Sequence, residues 1–454
     1  MTRFRPASAL ALLGVLAVAP AASPRAAAAP VVLPDSTTFE SFTLANGLRV
    51  VTRHVPGGDR VAIAVAYRFG SSHDPEGAEG LHALLAELAF FGPAGEAAAR
   101  TRAEMASQRP AGWDVWVGPH STMLIEIATL PQLPGVLRQV AQRMRGVSPT
   151  AATLAAAQAE VRADLARRWS SAGDALYLHA RAAAEGRSEA SIAREASGAG
   201  IAGRTLKELA PLLRERFVPA NAVLSLAGNL SSLPLRDVLE REFGVLPAGV
   251  ALPARPAARL DTATRVVTLR GLAAPAAVVG VIAPALDDSL HPVFYAAALL
   301  FGTHAGRQWG KPASAIGTRF RYILTEDAGL VRVFPPLAAD DPDGARMMEE
   351  YLLTVRQGTQ SDYADGTAES LWRGVDWVLG GPVPPERIGR TRSDGAALAA
   401  IATGQAFRET TGGEAFWSAY RERFKRAAMT DFRPAIYRLA QPERLVRVIA
   451  RPAP

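Results

Sequence analysis

The sequence predicts an α+β fold of two similar domains, each a mostly antiparallel sheet packed with helices. Three observations predict it. The chain has 454 residues, about three times the usual single-domain length. It is 49% hydrophobic and 20% charged, the balance of a globular protein with large cores. The same succession of strands and helices runs twice, on either side of a segment at 244–260 dense in Pro, Ala and Gly and without periodicity.

Residues 1–30 stand apart from that pattern. Arg3 and Arg5 precede an apolar run from Ala7 to Ala22, and an Ala-rich stretch follows with AxA cleavage sites, the layout of a secretory signal. The apolar run is short and proline-marked, so no membrane span is expected in the mature chain, which would be periplasmic or secreted. There is no cysteine. In an oxidising compartment this excludes disulfides and thiolate zinc sites, leaving His, Asp and Glu as possible metal ligands.

The first domain is expected over 31–243. "FTLANGLRVVTRHV" (Phe42 to Val55) alternates apolar and polar residues around Asn-Gly, a hairpin signature, and "RVAIAVAYRFGS" (Arg60 to Ser71) reads as a further strand. "EGLHALLAELAFFGP" then changes period. Leu81, Leu84, Leu85 and Leu88 fall at i, i+3, i+4 and i+7, one buried helical face. "GWDVWVGP" and "STMLIEIATLP" read as adjacent strands, followed by helices from Leu133 to Arg145 and from Pro149 to Arg168. A helix at Lys207 to Phe217, the strand "NAVLSLAGNLSS" and a helix at Leu233 to Phe243 close this half.

Beyond the linker at 244–260, the second domain is expected over 261–454. "TRVVTLRG", "AAVVGVIAPA", "GLVRVFPP" and "PERLVRVIARP" read as strands, with helices at Pro292 to Phe301 and Asp343 to Arg356. Similar length and element order in the two halves suggest an internal duplication.

The formal charge of +7 does not indicate nucleic acid. Only Lys207, Lys311 and Lys425 are lysines; the arginines are scattered, without a basic run or interleaved aromatic residues.

"FTLANGLRVV", "YRFGSSHDPEGAEGLHALLAELAFFG", "GWDVWVGPHST" and "LLRERFVPANAVLSLAGNLSSLPLRDVLEREFGVLP", in that order, resemble the pitrilysin/insulinase family of zinc peptidases, which includes mitochondrial processing peptidase. The resemblance runs from about Phe39 to the C-terminus. It implies an HxxEH helix: two histidines bind zinc from one helical face, the glutamate activates the bound water, and a further glutamate on a later helix completes the site. With Gly80-Leu81 aligned to the family's Gly-Leu, the histidine positions fall on Ala83 and Glu87, the base on Ala86 and the later ligand on Asp164. The motif has become AxxAE. Using His82 instead would turn the leucine stripe off the core, so His82 is expected at the helix surface or packed against a loop. His73, His120 and the remaining histidines stand singly.

Glu87 and Asp164 therefore read either as ligands of a rebuilt metal site or as a polar face left after zinc was lost; two carboxylates without a nitrogen ligand make a poor zinc site. The expectation is no cofactor, with zinc confined to active relatives. The family also holds substrate with an Arg and Tyr pair in its second half. Here Arg319 matches the arginine, Arg332 stands at the tyrosine position, and Tyr322 lies too early. Both arginines are candidate peptide contacts or structural residues. The strand with Trp113, Asp114 and Trp116 either pairs with an extended peptide or covers the sheet. The resemblance implies a catalytically silent chain that pairs with an active HxxEH-bearing subunit, or with itself, around a peptide or unfolded polypeptide. The alternatives are a stand-alone peptide-binding module and a metallopeptidase with an altered metal site.

Overall fold

The computed structural model describes residues 38–453 apart from 232, 254–258, 313–315, 323, 325–328 and 361–394. The signal-like segment 1–30 and the middle of the 244–260 segment lie outside the described residues.

The first sheet comprises β1 (Thr38–Thr43), β2 (Arg49–His54), β3 (Arg60–Tyr67), β4 (Trp113–Val117), β5 (Thr122–Thr129) and β6 (Ala222–Gly228), in the order β1-β2-β6-β3-β5-β4. All neighbours are antiparallel except β2 and β6. The Asn-Gly hairpin is present. Gly47 adopts φ 85°, and Asn46 accepts from the Leu48 amide while its amide nitrogen donates to the Phe243 carbonyl at 2.7 Å. The second sheet comprises β7 (Ala263–Leu269), β8 (Ala276–Ile282), β9 (Phe320–Arg321), β10 (Leu330–Val333) and β11 (Leu445–Pro452), in the order β7-β11-β8-β10-β9, with only β7 and β11 parallel. β2-β6-β3-β5-β4 and β7-β11-β8-β10-β9 share one topology, so the repeated element order reappears as repeated strand pairing.

Helices α1 (Leu81–Phe91), α2 (Arg102–Gln108), α3 (Leu133–Arg145), α4 (Ala151–Ser170), α5 (Ala172–Ala184), α6 (Glu189–Ser197), α7 (Leu206–Arg216) and α8 (Leu235–Phe243) belong to the first half. The second half carries α9 (His291–Trp309), α10 (Ala345–Gln360), α11 (Gly395–Thr410), α12 (Gly413–Arg426) and α13 (Met429–Tyr437). β3 alternates cleanly. Val61, Ile63, Val65 and Tyr67 enter the core beneath α1 and α3, whereas Ala62, Ala64 and Ala66 face the other way.

Those alanines admit a helix from the far half. α11 packs on β3, β6, β5 and β2, and α5 reciprocally packs on β11, β8, β7 and β10. Each sheet is thus covered on one face by a helix drawn from the opposite half of the chain. Ala62, Ala64 and Ala66 share a single hydrophobic cluster with Leu398, Ile401 and Ala402 of α11 and with Val279, Val281, Val331 and Val333 of the second sheet. A buried hydrogen bond from Ser225 to Gln405 and an Arg49–Glu409 ion pair at 3.0 Å tie the exchanged helix in place.

Candidate functional site

The leucine stripe of α1 is buried as its spacing requires: Leu84 and Leu85 are fully enclosed and Leu81 and Leu88 nearly so. The helix opens at Gly80, whose φ of 93° is left-handed and has no side chain to cap with. Asp74 supplies the cap from the preceding loop. Its carboxylate accepts from the Gly80 amide at 2.8 Å, the His82 amide at 2.9 Å and the His82 ring Nδ1 at 2.5 Å. His82 is fully buried and packs on the Phe69 ring, so of the two expected places it takes loop packing, and the helix surface is ruled out.

The loop itself is pinned by close backbone approach. A Cβ on Gly70 would lie 2.1 Å from the Gly118 carbonyl, and the Ser71 and Ser72 amides donate to Gly118 and Pro119. Glu79 ties the same loop to α6 through Arg194 and Ser191. Burial alone would raise its carboxyl, but the Arg194 hydrogen bonds outweigh this and hold it at about 2.

Of the four positions aligned to the zinc motif, Ala86 is enclosed in the core, while Ala83 and Glu87 lie half-buried on the outer side of α1. Glu87 accepts from Arg102 Nη2 at 2.5 Å. The same guanidinium pairs through Nε with Glu160 of α4 at 3.3 Å and lies 4.8 Å from the Phe91 ring centre and 5.5 Å from that of Trp113. Asp164 is instead paired with Arg167 and Arg168 on its own helix. The acidic side chain that α4 offers toward α1 is therefore Glu160, one turn before the aligned position. Sequence spacing did not single out Glu160 or Arg102. The only signal was that α4 carries acidic residues at both 160 and 164, one helical turn apart.

Zinc does not fit these residues. The donor set lacks a nitrogen ligand, the base position is an enclosed alanine, and a guanidinium lies between the two carboxylates. No group of three or more His, Cys, Asp or Glu able to hold a metal exists among the described residues.

Among the described residues, β4 is the last strand of its sheet and is paired on one side, with β5. Its side chains are committed. Trp116 is buried in the core shared with the second half, and Trp113 stacks with Phe90 and Phe91. Asp114 accepts from the following Val115 amide at 2.7 Å. Glu126 on β5 sits buried between Arg109 and Arg143. Burial pushes its carboxyl upward, yet Arg143 and then Arg109 hold it below the ordinary carboxylate value.

The arginines expected to hold peptide in the second half have structural partners. Arg319 donates to the carbonyls of Trp309, Gly310, Lys311 and Phe334, closing the C-terminal end of α9. Its forked donors all meet backbone oxygens of the chain itself. Arg332 is fully buried, with its guanidinium carbon 3.3 Å from the Tyr177 ring centre on α5. That burial removes it from any peptide surface. Tyr322 is also enclosed, its hydroxyl 2.8 Å from His291 Nε2.

No protein-family model and no curated protein sequence matches the chain. Solved structures do. A protease from Helicobacter pylori is similar at 16% identity and a TM-score of 0.67, over 92% of this chain and 100% of that one. A peptidase M16 inactive domain from Pseudomonas fluorescens is similar at 14% identity and a TM-score of 0.63, over 92% of this chain and 98% of that one. The periplasmic protease PqqL from Escherichia coli is similar at 13% identity and a TM-score of 0.66, over 92% of this chain but 48% of that one. At these identities the likeness establishes the fold: this chain has the two-domain α+β architecture of the M16 peptidases, without the zinc-binding positions that the family motif requires.

Proposed function

We propose that this chain is a non-catalytic peptidase homologue that serves as the silent half of a two-chain clamshell, closing around a peptide while an HxxEH-bearing partner supplies zinc and the water-activating glutamate. The observation that carries this reading is the Arg102 guanidinium between Glu87 and Glu160, with Ala86 at the base position. Hydrolysis needs an activated water there, and nothing in this set can generate one. The paired arrangement is supported by PqqL, of which this chain covers 48%: a single longer chain there spans what two chains of this size would supply. The existence of a solved inactive M16 domain is also consistent with a silent half.

Peptide would be held by strand addition at β4. Such pairing uses backbone donors and acceptors and so tolerates the loss of zinc and the packing of both tryptophans. That same edge favours a second reading, a stand-alone peptide-binding module or homodimer. Export to the periplasm is proposed from the signal-like layout of residues 1–30 and is consistent with the periplasmic description of PqqL. No helix among the described residues is long and apolar enough to cross a membrane.

The test is an affinity capture of the tagged mature chain from its own cell envelope, followed by mass spectrometry. A similar-sized HxxEH protein recovered in near equal amount is the expected result. Recovery of the chain alone or with itself rejects the divided peptidase in favour of the stand-alone module.

A further inference from the structure

We propose that Arg102 is the resident cation of this site: its guanidinium takes the place of a metal between Glu87 and Glu160, and its remaining Nη1 edge donates to a backbone carbonyl of peptide added along β4. The inference rests on the peptide-binding reading above and names the group that would do the holding. Three features place it there. Nη2 and Nε are each committed to a carboxylate, at 2.5 Å to Glu87 and 3.3 Å to Glu160, which fixes the plane of the fork. Phe91 and Trp113 lie against the guanidinium at 4.8 and 5.5 Å, and Trp113 is itself the first residue of β4. The side chain keeps 28% of its surface, and Nη1 makes no hydrogen bond among the described residues.

The charge of the cluster selects the ligand. The guanidinium's charge is already met by a carboxylate on each of two edges, which leaves a neutral carbonyl as the acceptor that suits Nη1. The arrangement also accounts for why binding would not lead to cleavage. A guanidinium can polarise a carbonyl, but it carries no water to be deprotonated, and Ala86 offers no base.

The experiment has two readouts. In the first, a dye-labelled unstructured peptide of Gly, Ser, Thr and Val, blocked at both ends, is titrated against the wild type, Arg102→Ala and Arg102→Lys. Loss of a charge-assisted hydrogen bond predicts roughly tenfold weaker binding for Arg102→Ala, with partial recovery in Arg102→Lys. Unchanged affinity in Arg102→Ala overturns the carbonyl contact. In the second readout, the melting temperature of each protein is measured with and without manganese chloride. Arg102→Ala removes the cation that Glu87 and Glu160 share, so manganese should raise its melting temperature while leaving the wild type unmoved. A folded Arg102→Ala protein indifferent to manganese overturns the cation placement. If even the wild type ignores the peptide while the manganese contrast holds, the peptide-binding reading fails and the cation placement survives it.

Discussion

The outer ends of the two sheets follow one topological plan and finish differently. In the first, β4 runs for five residues and pairs along its length with β5, with Arg102 laid against Trp113. In the second, the corresponding β9 is two residues long, and the nearby arginines are consumed by the fold. Arg319 meets three carbonyls at the end of α9 and a fourth at Phe334 beyond β10, and Arg332 is shut beneath Tyr177. The same forked cation thus becomes a structural clamp where helix-end carbonyls surround it and a partly open donor where carboxylates hold it from one side. On the peptide-binding proposal, the difference assigns the holding donor to the first half.

The largest expected effect separates the strands that correspond between halves, β5 and β10. Glu126→Ala would leave Arg109 and Arg143 buried without their carboxylate, a loss of about 3 to 5 kcal/mol measurable by denaturant unfolding. A loss below about 1 kcal/mol would mean the cluster is solvated and not part of the first core. Next come the exchanged helices. Ala402→Leu on α11 and Ala180→Leu on α5 each overfill a tight face and should cost about 1 to 3 kcal/mol, with one unfolding transition in both variants. Two separated transitions would break the picture of halves locked by exchange.

Glu79 anchors α6 in the first half. Because its folded value is depressed to about 2, its contribution is complete above the ordinary carboxylate value and is lost as pH falls through that window toward 2. Glu79→Gln should lower stability at neutral pH by about 1 to 2 kcal/mol and flatten the acid limb between roughly pH 4.5 and 2. An acid limb identical to that of the wild type would contradict the anchoring role. The smallest effect sharpens the contrast between arginines: Arg319→Ala should cost about 1 kcal/mol of stability and leave peptide affinity untouched. A fall in affinity comparable to that of Arg102→Ala would restore Arg319 as a peptide contact.

Legibility varied by kind of residue. The leucines of α1 were readable because burial concentrated on one side leaves a period in the sequence, and β3 was readable as a strand from its valine- and alanine-rich run. α5 and α11 were not read at all. α5 is alanine-rich, and α11 is enclosed on nearly all sides between a sheet and other helices, so neither shows a polar face to mark its boundaries. The loss of the zinc motif was visible at Ala83 and Ala86. What stood in its place was not, because Arg102 reaches Glu87 from a separate helix and Glu160 from across a helix crossing.

The sequence by itself determined the α+β class, the repeat of strand order about the proline-rich segment, the core face of α1 and the absence of HxxEH, since each of these depends on residue type and local period. Only the tertiary structure decided which half covers which sheet, which turn of α4 meets α1, and whether an arginine caps a helix or meets a carboxylate. Those outcomes depend on how helices cross and which acceptors arrive within about 3 Å, and hydrogen-bond reach is far shorter than the many residues of chain that separate the partners.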